Sequence, residues 1–469
     1  MKDAIDIVFA VTAVLAAVLA AGHAIIYKRD SRSASIWVLV VLILPALGAL
    51  AYAVLGVNRV QRRAVRLRSR MVRHRRDPQF PPSDPGTHFV PLARLVSRVC
   101  ERPLLPGNSI EPLVDGPNAF PAMLEAIQSA KSSVAMASYI FDGDGIGEDF
   151  VKALGAAVKR GVEVRVLIDD VDARWSSSTA VKPLRAAGVN AAVFNPPIVP
   201  ARLHALNLRN HRKILVVAGT LGFTGGMNVD CRYWKPEAPD QAFRDLHFRL
   251  RGPVVGQLME VFADDWQFTT EEALRGPRWF PSLASDGAVL ARAIEAGPDE
   301  SIERVRWAIV GGVNAAQRSV RVLTPYFIPD STLISALDAA ALRGVEVDIV
   351  IPQTSDLPHV HWAAYGQLWQ VLDHGCRVWM RPGSFDHSKL LVVDGAWTLL
   401  GSANWDARSL RLNFEVNVEC YSVELGAHMD GLIQARIGQS ESLTLAQINE
   451  RPLWMKLRDG AARLFAPYL

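Results

Sequence analysis

HRKILVVAGTLGFTGGMN, from His211 to Asn228, returns further along the chain as HSKLLVVDGAWTLLGSAN, from His387 to Asn404. The two stretches agree at the histidine, at the lysine two places on, through the aliphatic run and at the closing asparagine. They differ where the second has Asp394 and the first has Ala218. The aliphatic run reads as a strand, and alternate residues of a strand share a face. His211 and Lys213 therefore point the same way, as do His387 and Lys389. One chain thus carries the same phosphate-friendly pair twice.

The surroundings of the two copies also repeat. SSVAMASYIF (Ser132–Phe141) reads as a strand, GEDFVKALGAAVKRG as a helix and VEVRVLIDD as a buried strand ending in acids. RSVRVLTPYFIP (Arg318–Pro329), STLISALDAAALRG and VEVDIVIP follow the same order. Two such β-α-β units, each closing with its own HxK strand, imply two similar α/β/α domains of mainly parallel or mixed sheet, residues 106–285 and 286–469. Their single active site is expected at the seam between them. The turn- and proline-rich RGPRWFPSLASDG suits the boundary.

Half of the 469 residues are hydrophobic, and the mean hydropathy of +0.13 is high for a purely soluble enzyme. The excess sits at the front. Ile7–Ala21 is apolar without a charge, and Ile36–Val57 is longer, with Pro45 as an expected kink. Together they read as a transmembrane hairpin over residues 1–57, with spans at about 4–27 and 36–57, rather than as a cleaved signal peptide. The short connection holds Lys28, Arg29 and Arg32, whereas nine arginines follow the second span between Arg59 and Arg76. The larger set should stay inside, placing the N-terminus and everything after residue 58 on the cytoplasmic side of a bacterial inner membrane. The same arginines suit anionic lipid head groups. Residues 58–105, basic and then proline-rich (DPQFPPSDPGT), read as a linker.

Cys100, Cys231, Cys376 and Cys420 lie far apart with no CxxC pair, which argues against both a disulfide framework and a zinc site. His359 and His361 form an HxH pair with no further ligand nearby in the sequence, so they read as ordinary polar histidines.

If the halves meet across a pseudo-twofold axis, two imidazoles and two ammonium groups converge. A phosphodiester suits such a place, with little need of a metal or another cofactor. One neutral imidazole attacks phosphorus to form a phosphohistidine, and the opposite one, protonated, gives its proton to the departing oxygen. Lys213 and Lys389, with Asn228, Ser402 and Asn404 as donors, would hold the non-bridging oxygens. Each histidine also needs an acceptor to fix its tautomer. Asp245 in RDLHF and Glu415 in NFEVN, at similar distances downstream of His211 and His387, are the candidates. Asp394 belongs to the second motif but lies an odd number of residues past His387 and Lys389. It therefore points to the opposite face of a regular strand and, standing before Gly395, is expected to secure a tight turn. On that reading Ala218 loosens the first copy without removing a reacting group.

These residues resemble the phospholipase D superfamily, whose mark is HxKxxxxD followed by GSxN or GGxN, present twice. SYIFDGDGIG, GVEVRVLIDDV, FTGGMN, RDLHFRLRGPVV, TPYFIPD, DHSKLLVVDG and GSANWDARSLRLNFEVN, with a hairpin ending LPALGALAYAVLG, resemble bacterial cardiolipin synthases of the two-span type over nearly the entire length. The resemblance implies transfer of a phosphatidyl group between two phosphatidylglycerol molecules, giving cardiolipin and glycerol without a metal. It implies His211 as nucleophile and His387 as the acid that later acts as base. Ala218 departs from the family pattern. Hydrolysis at the same site, a phospholipase D, is the nearest alternative. A nuclease is disfavoured by the hairpin, so no nucleic-acid partner is expected. A non-catalytic scaffold that binds anionic lipid has only Ala218 in its favour.

Overall fold

Aliphatic strands flanked by apolar-striped helices are stable when both faces of their sheet are covered. The computed structural model describes residues 2–28, 31–53, 85, 87–171, 178–194, 209–299 and 301–466, in two units, Met1–Ala64 and Val65–Leu469. In the larger unit the strands join one 16-stranded mixed sheet. Its first-half strands are β1 (Leu105–Val114), β2 (Ser133–Ser138), β3 (Glu163–Asp169), β4 (Asn190–Phe194), β5 (Arg209–Asn210), β6 (Ile214–Val217), β7 (Leu221–Gly225) and β8 (Leu246–Arg251). The second half has β9 (Val289–Ala296), β10 (Ser319–Leu323), β11 (Phe327–Ile328), β12 (Glu346–Pro352), β13 (Arg377–Arg381), β14 (Leu390–Val393), β15 (Trp397–Gly401), β16 (Trp405–Asp406), β17 (Asn413–Tyr421) and β18 (Glu441–Leu443).

The central pair is β1 with β9, antiparallel. Outward from it the first half runs β1-β8-β7-β6-β2-β3-β4 and the second β9-β17-β15-β14-β10-β12-β13-β18. Apart from β18 the two orders correspond strand for strand, so the sequence repeat is a spatial repeat. The parallel trios β2-β3-β4 and β10-β12-β13 lie far from the centre, and antiparallel pairs occupy the middle. β11 and β16 form a separate two-stranded ladder. Helices Gly116–Ser129 and Ile146–Lys159 pack Phe120 edge-on to Phe150 in the first core. Val90–Cys100, within the stretch expected to be a linker, is a helix that sends Leu92, Val96 and Cys100 into the second core. Their spacing of four residues sets one apolar stripe.

The seam between the halves is ionic and dry. Along it Arg292 pairs with Glu419, Arg102 with Glu260 and Glu295, and Arg304 with Glu295, all of them buried. Buried charges of this kind persist only when paired and hydrogen-bonded. Arg292 satisfies that condition further by donating to Ser97 Oγ at 2.6 Å and to the Ala93 carbonyl at 3.1 Å.

In the smaller unit, α1 (Lys2–Tyr27) is one continuous apolar helix, and among the described residues it is the only one long and apolar enough to cross a membrane. The expected second span differs from a single helix over 36–57. It begins earlier, as α2 (Ser31–Ile43), breaks at Leu44 and resumes as α3 (Pro45–Ala51). Proline lacks the N–H that would continue the ladder and its ring crowds the preceding turn, so the break falls where Pro45 stands. α2 alone is about 20 Å long, short of a ~30 Å hydrocarbon core. Ala17 and Ala24 of α1 pack with Val41 of α2 and with Tyr52. Residues 54–57 of that span, linker residues 58–84 and the arginines between Arg59 and Arg76 lie outside the described residues.

The two turns that follow the HxK motifs share the same pair of positive φ values. Ala218 and Gly219 have φ of 53° and 68°, and Asp394 and Gly395 have 54° and 61°. Both non-glycine residues are thus left-handed, a region that aspartate tolerates better than alanine. Asp394 adds a cap: its carboxylate accepts N–H bonds from Gln317 (2.9 Å), Arg318 (2.7 Å) and Ser319 (2.9 Å), and contacts His88 Nε2 at 2.8 Å. Those backbone bonds hold its carboxyl below the usual range against the opposing effect of burial. The backbone bond Ala218 N–H to Ser133 O (2.8 Å) matches Asp394 N–H to Ser319 O (2.9 Å), but no carboxylate can follow it. Ala218→Asp should therefore raise the melting temperature by about 1 °C, the effect of about one net hydrogen bond in a body of this size. Thermal unfolding in detergent checks this.

Candidate active site

The HxK triplets lie just ahead of β6 and β14 rather than inside them, because each is gripped by the other half. β5 runs parallel to the start of β17, and His211 N–H donates to Phe414 O at 2.9 Å. Reciprocally, Arg244 N–H donates to Phe385 O (2.9 Å) and His387 N–H to Arg244 O (2.7 Å). Each motif therefore begins as a strand-like partner of the opposite half and then turns into its own sheet.

That exchange carries the carboxylates with it. His211 Nδ1 lies 3.0 Å from Glu415 Oε1, and His387 Nδ1 lies 2.9 Å from Asp245 Oδ2. Each imidazole is thus oriented by the carboxylate that follows the other histidine in the chain. Both nitrogens so engaged are Nδ1, which leaves both Nε2 atoms for a substrate. Burial lowers both imidazoles, and each also feels the opposite half: Lys389 helps depress His211, and Lys213 and His211 add to the depression of His387.

Glu415 is fixed by the Ser402 hydroxyl at 2.5 Å and by Asn413 Nδ2 at 3.3 Å. The Ser402 hydroxyl expected to face a phosphate oxygen is thus committed to this carboxylate. At the corresponding place in the first motif stands Gly226, where an added Cβ would run into the Asp245 carboxyl. GGMN in one copy and GSAN in the other are accordingly two ways of fitting a carboxylate. Asn228 accepts from Ile140 N–H at 3.3 Å through its oxygen, leaving its NH2 to donate. The Asn404 amide oxygen is buried with no partner among the described residues.

Lys213 Nζ donates to His211 O at 2.8 Å, and Lys389 Nζ donates to His387 O. Both lysines are buried, and burial pushes their ammonium groups down to about 7 and about 8, respectively. Burial likewise lowers the His211 imidazole to about 4 against the attraction of Glu415. His387 is held well below its ordinary value, and burial holds the Asp245 carboxyl well above its own. Both shifts disfavour the charged pair, and a nearby phosphodiester anion would favour the imidazolium.

Asp394 is not part of this cluster. It stands at the far end of β14, five residues past Lys389, or about 16 Å of extended chain. Sequence reasoning missed four side chains around the site. Tyr233 Oη lies 2.9 Å from His387 Nδ1, and the Tyr139 ring meets the His211 ring edge-on at 4.9 Å between centroids. Arg212, fully buried, bonds Asp265 at 2.6 Å and the Glu415 carbonyl at 3.0 Å. His247, with its pKa lowered to about 3 by burial, lines a small cavity with Lys213, Ser138 and Asn228. Neither tyrosine is marked by the repeat: Tyr139 aligns with Pro325, and five residues past Asn404, where Tyr233 would recur, the second copy has Ser409.

The arrangement offers two buried imidazoles, with no Nε2 partner among the described residues, and two buried ammonium groups, which suits an anionic tetrahedral ligand. Sulfate, whose charge is constant over the range, should stabilise the protein most near pH 6 and least near pH 9, as the lysines lose their protons through about 7 and about 8. Without an anion their contribution runs the opposite way. A lysine depressed in the folded state costs stability in full below about pH 7, and that cost is relieved as pH rises toward the ordinary lysine value. Thermal shift with and without sulfate across this range checks both signs, and a sulfate effect independent of pH contradicts them.

Comparison with known proteins was made on this footing. The family described as "Cardiolipin synthase, PLD-like domain" matches residues 123–266 and again 309–436, and "Phospholipase_D-nuclease N-terminal" matches 15–56. The chain is 30% identical to a cardiolipin synthase of Staphylococcus aureus over 458 residues, covering 94% of this chain and 92% of that protein. It is 32% identical over 457 residues to the major cardiolipin synthase ClsA of Bacillus subtilis, covering 94% and 95% of the two chains. Among solved structures, phosphatidylserine synthase of Haemophilus influenzae aligns with a TM-score of 0.63 at 15% identity, over 81% of this chain and all of that one, a likeness of fold.

Proposed function

The chain belongs to the cardiolipin synthase family of phospholipase D-like proteins, and from that premise we propose that it transfers a phosphatidyl group from one phosphatidylglycerol to another, releasing glycerol and forming cardiolipin. The observation that carries the reading is the pair of crosswise His–carboxylate contacts, which engage Nδ1 of each buried imidazole and keep Nε2 for the substrate, with two buried lysines beside them. In the first step His211 Nε2, neutral through burial, attacks phosphorus. The bond from phosphorus to the glycerol oxygen breaks, and the proton on His387 Nε2 passes to that oxygen. Tyr233 and Asp245, both on Nδ1 of His387, position the ring for this transfer. Lys213, Lys389 and the Asn228 amide neutralise the non-bridging oxygens as charge gathers on them.

In the second step the terminal glycerol hydroxyl of another phosphatidylglycerol attacks the phosphohistidine. It gives its proton to His387, and the phosphorus–nitrogen bond to His211 breaks. Water in the same position would yield phosphatidic acid, so exclusion of water decides transfer over hydrolysis. Ser402 and Asn413 act one step removed, by fixing the Glu415 carboxylate behind His211. Asp394 serves the strand end.

The membrane placement follows the same reading. α1 forms one span, and the broken pair α2 and α3 forms the second half of a hairpin. The arginine run from Arg59 to Arg76 holds that end in the cytoplasm. The body then faces the inner leaflet of a bacterial cytoplasmic membrane, where phosphatidylglycerol and other anionic lipids are presented.

Purified protein incubated with phosphatidylglycerol in detergent and chelator should give cardiolipin and glycerol in equal amounts. His387→Ala should lower that yield roughly 10²–10⁴-fold. Phosphatidic acid as the main product would replace transfer by hydrolysis, and undiminished product from the His387 variant would remove it from the mechanism.

A further inference from the structure

We propose that the C-terminal helix, Leu453–Arg463, together with the turn after it, is a docking surface for an anionic lipid leaflet beside the imidazole site. The proposal adds a binding surface to the lipid-transfer reading and rests on it for the choice of partner.

The helix is turned inside out. Leu453, Trp454, Leu457, Leu464 and Phe465 are 71%, 58%, 64%, 76% and 63% exposed, and they make up half of the ten exposed large apolar side chains among the described residues of the larger unit. At 100° per residue, Leu453, Leu457 and Leu464 fall within about 40° of one another, with Trp454 and Phe465 on the adjoining flank. Singly exposed apolar residues are ordinary on any protein surface; a contiguous face of them is not. The opposite face is the packed one. Asp459 is buried there, and Ala462 and Ala466 lie against Ile328, Val360, Ala363 and Ala364.

Charge identifies the occupant. Lys456 and Arg463 are exposed along one edge of the apolar face. On the other edge Arg458 lies over the Trp454 ring at 5.5 Å and the Trp362 ring at 4.6 Å. Asp459, the one acid between Leu453 and Ala466, is turned inward and paired with Arg451 (2.6 Å) and Arg458 (2.8 Å). The outer surface is therefore apolar with a purely cationic rim. Trp, Phe and Leu on one face with Lys and Arg at its borders is the pattern of a helix lying in a membrane interface. A second copy of the chain would have to bring two such rims together. An anionic leaflet complements both parts at once.

The helix is also close to the chemistry. Tyr326 packs on the small cluster that holds Ala462 and Ala466, and its ring lies 6.3 Å from that of His387. A leaflet seated on Leu453–Phe465 would thus lie the width of one helix, about 10 Å, and the Tyr326 side chain away from the His387 imidazole. Its lipids could present a phosphodiester without leaving the membrane.

The test uses the full-length protein carrying Leu457→Cys in a Cys231→Ser background, labelled with an environment-sensitive fluorophore. It is reconstituted into vesicles of phosphatidylcholine with or without phosphatidylglycerol. In vesicles containing phosphatidylglycerol, lipids brominated in the acyl chain should quench the probe strongly while aqueous acrylamide should not. Polar replacement of Trp454, Leu457 and Phe465 together should raise KM for vesicle-borne phosphatidylglycerol several-fold and leave kcat unchanged. Acrylamide quenching without quenching by brominated lipid overturns the proposal. So does probe burial that persists in detergent and grows with protein concentration, which would make the face a self-association surface. Cardiolipin formed in the same vesicles separates the two readings: product with a water-exposed probe sinks the docking surface alone, whereas a lipid-buried probe without product supports docking and counts against transfer.

Discussion

Each imidazole of this protein is oriented by a carboxylate from the other half of the chain, and that exchange constrains everything around it. For Glu415 to reach His211, β5 must lie parallel to the start of β17; for Asp245 to reach His387, residue 244 must sit beside 385–387. Those pairings bring the halves together in one register and join β1 to β9 at the centre of a continuous sheet. Neither half can then form a finished site alone. This is a physical reason for keeping both copies of the motif, including the one that lacks its aspartate.

Burial gives the exchange its chemical meaning. In a dry seam two histidines, two lysines and two carboxylates cannot all be charged, and the balance falls on the neutral side: imidazoles and ammonium groups are pushed down, Asp245 up. A phosphodiester supplies the missing negative charge. Under the proposed reaction such an anion would favour the charged forms of the two lysines and of His387. Arg212, behind Glu415, is already paired with Asp265, so its charge does not compete for the ligand.

Much of this was legible from two eighteen-residue stretches. The paired HxK motifs and the rhyming β-α-β segments fix the α/β class and the twofold repeat, because hydrophobic period and strand alternation are local properties. Asp245 and Glu415 were identifiable by their matched positions. Which carboxylate serves which histidine was not, since a crosswise contact and a contact within one half leave the same trace in a linear sequence. Tyr233 was hidden because it breaks the repeat, and the Ser402 hydroxyl was misdirected toward substrate because its acceptor is folded in from β17. At the front, an apolar stretch read as one span is divided by Pro45, whose effect on the ladder outweighs the continuous hydropathy around it.

The crosswise assignment is tested most directly by a substrate whose leaving group needs no proton. With phosphatidyl-p-nitrophenol, His387→Ala and Asp245→Asn should both retain a burst of one p-nitrophenol per site, because attack by His211 is intact. His211→Ala and Glu415→Gln should both lose it. A burst that survives in Glu415→Gln and vanishes in Asp245→Asn would pair each histidine with the carboxylate of its own half and contradict the account.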